Sequence, residues 1–217
     1  VELDNLRRRG EGRGGYAGVA TYCAPPTGDR AEMREAARGV GTYLACHHGF
    51  LGAFTVDGVL TAEGWRATEL NPRFGGGLGY ANWLFPALPF DLLHHLVAAG
   101  DGADVSAADV EALIIPAADD TRWGGGWTSV PTVLETTRTT PVVFGNEGCR
   151  VAGDGEDADG DLLGGPGSEG GFVRLILRPD RTARGPSVAP LVTAAFALAD
   201  ELWRTDIGPL DPARPVR

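Results

Sequence analysis

Lysine is missing altogether from this chain: all 19 basic side chains are arginine, set against 29 acidic ones for a formal net charge of −10 over 217 residues. A balance that acidic argues against a nucleic-acid partner, whose affinity comes largely from clustered cations neutralising phosphates. No run of about 18 apolar residues occurs and no secretory leader is visible, so neither a membrane helix nor export is expected. Cysteine is scarce as well. Cys23, Cys46 and Cys149 are odd in number and far apart, which argues against a disulfide framework and fits reduced thiols in a cytoplasm. Core-forming material is ordinary in amount, with 43% hydrophobic and 22% charged residues, enough for one large domain or two small ones.

Against these absences one stretch stands out. Two alternating runs, Phe50 to Leu60 and Trp65 to Leu70, flank Thr61-Ala62-Glu63-Gly64 and read as a β-hairpin. A three-residue loop, Ala62-Glu63-Gly64, gives Gly64 the positive φ such loops need and sets Asp57 directly opposite Glu69. A two-residue loop would send the two acids to opposite faces. In the first register Thr55, Asp57, Glu69 and Asn71 share one face, while Phe54, Val56, Leu60 and Leu70 take the core face. Like charges facing each other work against a ladder, and a cation between them is the simplest compensation. One or two carboxylates with further oxygen donors suit magnesium at a phosphate site. Arg73 follows with a guanidinium that matches phosphate geometry. Gly75, Gly76 and Gly77 then offer bare amides able to form an anion nest. A solvated hairpin face, an Arg73–Glu69 pair and a plain glycine turn are the structural alternatives.

Val56-Asp57, a short turn, and Glu69-Leu70-Asn71-Pro72-Arg73 running into glycines resemble the C-terminal lobe of the ATP-grasp superfamily, which includes carboxylate–amine and peptide ligases. The likeness spans about residues 14–100 and includes the helix and strand Asp29 to His48 and Phe50 to Asp57. A lesser likeness, to peptide ligases of bacterial natural-product pathways, rests on Gly185-Pro186-Ser187-Val188-Ala189-Pro190. The resemblance implies an α+β fold: an antiparallel sheet with packed helices over residues 1–100, then a small α+β C-terminal extension over 101–217, divided near Asp101-Gly102-Ala103-Asp104. It implies ATP with Mg2+, or Mn2+ in its place, with Asp57, Glu69 and Asn71 as metal ligands. Glu69, Asn71, Gly75, Gly76 and Gly77 would face the nucleotide, and Arg73 would be the catalytic cation at the transferring phosphoryl group. The implied enzyme is a cytoplasmic ligase that activates a carboxylate as an acyl phosphate and joins it to an amine, such as an amino acid or peptide. Positioning and charge neutralisation dominate phosphoryl transfer, so neither Cys46 nor Ser187 is needed as a nucleophile. Small-molecule carboxylate and amine substrates are the implied partners; a homo-oligomer is compatible with this, and nucleic acid and membrane are not.

The sequence departs from the family where it would hold phosphates. Relatives use lysines from an N-terminal lobe and a glycine-rich lid, and this chain has no lysine. The hairpin also follows soon after Val1, so the lobe and lid are expected upstream, in a longer enzyme of which this is a part. Peptide-forming relatives often carry arginine two residues before the first acid, where Thr55 stands here. Two other readings therefore stay open: a non-catalytic nucleotide-binding or scaffold fragment, and a carboxylase or carbamoyl-phosphate-type enzyme with a biotin partner or an ammonia-supplying subunit. Nothing in the chain names the carboxylate or the amine.

Elsewhere the patterns are plainer. Val1 to Gly15 reads as a polar loop, and its Gly10-Glu11-Gly12-Arg13-Gly14-Gly15 precedes a β-like run, Tyr16 to Cys23, instead of the helix a dinucleotide fingerprint needs. Pro25-Pro26-Thr27-Gly28 reads as a turn. Asp29 then caps a helix with Met33, Ala36, Ala37, Val40, Tyr43 and Leu44 on its apolar face, and Pro89 to Ala99 is a second helix. His47-His48 and His94-His95 sit towards helix C-termini, where histidine offsets the dipole, a better account than metal pairs. Leu113 to Ile115, Val130 to Leu134, Pro141 to Phe144 and Phe172 to Leu177 read as short strands. Trp123-Gly124-Gly125-Gly126-Trp127 reads as a turn or an aromatic lip. Asp154 to Asp161 reads as a solvated loop because it lacks the glycine and final glutamate of a calcium loop. Pro190 to Trp203 is a terminal amphipathic helix with Leu191, Ala194, Ala195, Leu198 and Leu202 inward.

Overall fold

Strict alternation along Gly170–Leu177 buries Gly171, Val173, Leu175 and Leu177 and leaves Phe172, Arg174 and Ile176 half-buried, the signature of a strand with one face on a core. In the computed structural model, which describes residues 2–8, 14–20, 26–75, 85, 88–101, 106–121, 123–179, 181 and 188–212, that strand lies inside an eight-stranded antiparallel sheet. The elements in chain order are β1 (Glu2–Arg8), β2 (Gly14–Ala20), α1 (Thr27–His48), β3 (Thr55–Thr61), β4 (Gly64–Asn71), α2 (Phe90–Ala98), α3 (Ala107–Asp120), β5 (Gly124–Val130), β6 (Arg138–Gly145), β7 (Gly148–Val151), β8 (Gly160–Gly167), β9 (Gly170–Leu177), α4 (Ala189–Trp203) and β10 (Leu210–Pro212). The protein is thus a mixed α+β chain with four helices among the described residues. None of those helices is long and apolar enough to cross a membrane.

The chain forms two compact units, and they do not divide it at Asp101–Asp104. Residues 1–23 join 121–215, whereas 24–120 stand as a unit of their own. In the first unit the strand order is β10-β1-β2-β5-β9-β8-β6-β7, with α4 packed against the sheet. Val192, Phe196 and Ala199 are buried at spacings of four and three, and Trp203 packs against the same core. Of the expected inward set Ala195 and Leu198 are buried and Leu191 packs against the core, whereas Leu202 is 42% exposed. Phe196 is the largest fully buried side chain, on the face of the helix away from Leu202.

Three segments of this unit that read as loops or turns are strands. The first is β1, within the polar opening of the chain, whose backbone pairs β2 on one side and β10 on the other. The second is Gly124-Gly125-Gly126, which begins β5 instead of forming a turn. That strand ends at Val130, so of the strand expected over Val130 to Leu134 only the first residue is strand, Pro131 having no N–H to continue the ladder. The third is β8, which pairs β9 from Gly160 to Gly167 and takes Gly160 and Asp161 from the acidic run expected as a loop. In β5 and β8 the glycines make room for neighbours. A Cβ on Gly164 would lie 2.6 Å from the Trp203 ring and one on Gly124 2.7 Å from Val188, while one on Gly125 would run into the Leu175 carbonyl oxygen.

Two polar devices close this unit. Beyond α4 the chain turns through Arg204 and Asp206, both at positive φ. Asp200 fastens the return: Oδ1 accepts from the Thr205 hydroxyl and from the Ile207 N–H at 2.9 Å, and Oδ2 accepts from the Gly208 N–H at 2.8 Å. The acidic run after β7 is held by arginine. Arg150 grips Glu156 through two hydrogen bonds of 2.7 and 2.6 Å, Asp157 pairs with Arg178 at 3.2 Å and with Arg181, and Asp159 Oδ2 accepts from the Phe144 N–H. The Arg150 hydrogen bonds, then the Gly153 N–H, pull the Glu156 carboxyl down to about 2 from its ordinary 4.5. Burial, then the Asp159 charge, push the Cys149 thiol up to about 12, and the thiol of Cys46 is exposed.

In the second unit α1 starts at Thr27, with Pro26 in the cap position and no side-chain cap bond, so Asp29 is a buried first-turn residue and not the cap. Ala36, Val40, Gly41 and Leu44 form its inner face, with Gly41 close to the Phe54 ring, while Met33, Ala37 and Tyr43 point outward. Phe50–Phe54 precedes β3 instead of belonging to it. The segment expected as a strand at Leu113 to Ile115 lies inside α3, which opens on a Ser106–Asp109 capping pair and is tied to α1 by Arg34–Glu111 at 2.5 Å.

Replacing Asp200 with alanine strands the Thr205, Ile207 and Gly208 donors, and is expected to cost about 2–3 kcal/mol, seen as a lower urea midpoint at unchanged slope. Because the folded Glu156 pKa is depressed, its ion pair stabilises the fold above about pH 4.5 and is lost as pH falls towards 2. An NMR titration of Glu156 should show that low midpoint, and Arg150→Ala should return it towards 4.5.

Candidate functional site

The hairpin of the second unit meets the expected pairing by a different route. Its turn contains two residues, Ala62 and Glu63, with Thr61 opposite Gly64, and not the three-residue loop read from the sequence. Gly64 does take a positive φ, 106°. With that turn alone Asp57 would face Thr68. A β-bulge intervenes: Gly58 pairs Ala67, Asp57 pairs Glu69, and Thr68 is the extra residue. The bulge resets the alternation, so Thr55, Asp57, Glu69 and Asn71 return to one face. Gly58 lies beneath the buried Trp65, whose indole leaves no room for a Cβ there.

Side-chain geometry agrees with the register. The Asn71 Nδ2 donates to Asp57 Oδ2 at 3.0 Å across the strands. That leaves the amide oxygen of Asn71 and the second oxygen of Asp57 able to face a cation. Asp57 and Asn71 are half-buried and Glu69 is exposed, with no hydrogen-bond or ion-pair partner for the Glu69 side chain among the described residues. Among those residues no group of three or more His, Cys, Asp and Glu side chains gathers as a metal cluster, so the candidate site rests on two acids and an amide.

Beyond β4 the chain doubles back across the start of β3. The Arg73 N–H donates to the Asn71 carbonyl at 2.8 Å in a three-residue turn. The Thr55 hydroxyl faces the Arg73 carbonyl at 3.4 Å, and the Arg73 guanidinium, itself exposed, donates to the Phe74 carbonyl at 3.1 Å. It does not pair with Glu69. Gly75 lies against Thr55, where a Cβ would come 2.5 Å from the hydroxyl oxygen. Bare backbone at Gly75 is therefore a packing requirement here, whatever its part in binding; Gly76 and Gly77 lie outside the described residues.

One contributor to this arrangement escapes the sequence reading. His94, on α2, accepts a hydrogen bond at Nδ1 from the Ala53 N–H at 2.9 Å, and the Phe74 ring meets it edge-on at 4.9 Å. The dipole account fits His95, in the last turn, but not His94. Only the spatial return of α2 to Ala53 and Phe74 reveals the contact, and no local pattern carries it.

Two like charges opposed across a ladder strain the cation-free hairpin. Glu69→Gln should therefore raise the stability of the protein in chelator by about 0.5 kcal/mol, read from the urea midpoint.

Comparisons with protein-family models, with curated proteins and with solved structures return no match.

Proposed function

We propose that this chain is part of an ATP-dependent ligase of the ATP-grasp kind, which activates a carboxylate as an acyl phosphate and joins it to an amine. The observation that carries the reading is the opposition of Asp57 and Glu69 with the Asn71 amide 3.0 Å from Asp57. The donor set is two carboxylates and an amide carbonyl, all oxygen, which suits Mg2+ or Mn2+ with remaining positions left to water and phosphate oxygens. The bulge adds to this support. It restores a pairing of like charges that folding alone disfavours.

A divalent cation at this face would screen the nucleotide phosphates and polarise the transferring group. Asp57 and Glu69 would hold it from opposite strands, and the Asn71 carbonyl would complete one side while its Nδ2 keeps Asp57 in place. Arg73, exposed and engaged with the Phe74 carbonyl, can swing to the phosphoryl oxygens and stabilise their charge. No side chain has to form a covalent bond. The inner phosphates would be held by cations of another lobe, because this chain contributes no lysine. Carboxylate and amine are left at the level of class, with amino acids and peptides as the first candidates.

The test is linkage between metal and fold, followed by turnover. Millimolar Mg2+ or Mn2+ should raise the melting temperature of the wild-type chain and leave Glu69→Gln unmoved. Phosphate release from ATP by the full-length enzyme, across a panel of amino acids and peptides, should fall about 100-fold in Glu69→Gln. Equal metal response and equal turnover in the two proteins would remove the assignment.

A further inference from the structure

We infer that His94 is a positioning residue that locks the Arg73–Gly75 segment against the start of β3, and so sets where the Arg73 guanidinium can reach. The inference rests on the ligase reading for its functional part and on geometry for the rest. Two stretches meet at this imidazole. One leads into the strand that carries Asp57: the Ala53 N–H donates to Nδ1 at 2.9 Å, two residues before Thr55. The other leaves the strand that carries Glu69 and Asn71: the Phe74 ring lies edge-on to the imidazole, centroids 4.9 Å apart.

Neighbouring backbone is shaped to admit the ring. Gly52 has a φ of 133°, and a Cβ there would come 2.8 Å from His94 Cε1. The two stretches then touch each other directly, through Gly75 against Thr55 and through the Thr55 hydroxyl facing the Arg73 carbonyl. His94 therefore closes a ring of contacts around Arg73, from α2 to Ala53, along to Thr55, across to Gly75 and back through Phe74. Acceptance at Nδ1 also fixes the tautomer, placing the proton of the neutral ring on Nε2. Asparagine can offer an acceptor at nearly the same distance from the helix, whereas alanine offers neither acceptor nor ring edge.

The full chain, His94→Ala and His94→Asn are compared in two measurements. Amide NMR shifts at Ala53 and at Arg73–Gly75 should both move in His94→Ala, whereas His94→Asn, which keeps the acceptor but not the ring, should restore Ala53 and leave Arg73–Gly75 displaced. Binding of Mn2+ alone, followed by water-proton relaxation, should be unchanged in all three, while binding of Mn2+–ATP weakens about tenfold in both variants. Unmoved shifts at Arg73–Gly75 in His94→Ala overturn the inference, as does Mn2+–ATP binding equal to wild type. A wild-type chain that binds no Mn2+ sinks the ligase reading instead, and the amide shifts still decide whether His94 holds the segment. An alanine variant without a dispersed spectrum has not folded; His94→Asn then decides, displaced Arg73–Gly75 shifts beside a retained Ala53 shift supporting the contact and unmoved Arg73–Gly75 shifts refuting it.

Discussion

Asp57 faces Glu69 because of one surplus residue. The two-residue turn at Ala62-Glu63 fixes the near half of the hairpin with Thr61 opposite Gly64, a register that would leave the acids out of step. Thr68 is inserted without a partner, the alternation shifts by one, and the polar residues of the far half come to a single face. The Asn71–Asp57 hydrogen bond, the Thr55 hydroxyl and the packing of Gly75 all depend on that shift. A bulge is a local disruption of the ladder, and this one sits beside the most chemically suggestive group of side chains in the unit.

The same face shows where local reasoning succeeds and fails. Opposition of Asp57 and Glu69 is legible because the number of residues between them allows it, but the loop assigned to produce it is the wrong one. A turn one residue shorter and a strand one residue longer cancel. Turn chemistry correctly predicts the positive φ of Gly64, since that depends only on nearby backbone. At the bulge Gly58 lies beneath Trp65, a cross-strand contact that no window along the chain displays.

In the larger sheet the legible parts are those with a strong period. Phe172 to Leu177 and Pro141 to Phe144 fall within β9 and β6, and the final helix matches its expected span almost to the bounds. Strand β1 is hidden because its partners, β2 and β10, come from opposite ends of the sequence. Leu113 to Ile115 shows the opposite error: a short apolar run fits a strand and a helix turn equally, and the Ser106 cap decides for the helix. The acidic run after β7 reads correctly as a loop from Asp154 to Asp159, while Gly160 and Asp161 already belong to β8, and the three arginines that hold it come from β7 and from beyond β9.

Glycine in β8 carries a consequence for how variation in this protein would be interpreted. Gly164 lies flat under the Trp203 indole, and a methyl carbon on Gly160 would come 2.6 Å from the Ile176 carbonyl oxygen. Drift at such positions would be purged for want of space, with no chemistry at stake. A map of tolerated substitutions would therefore glow along the middle of this sheet as brightly as at any reacting centre, and steric intolerance there would have to be subtracted before the remaining signal could be assigned to catalysis.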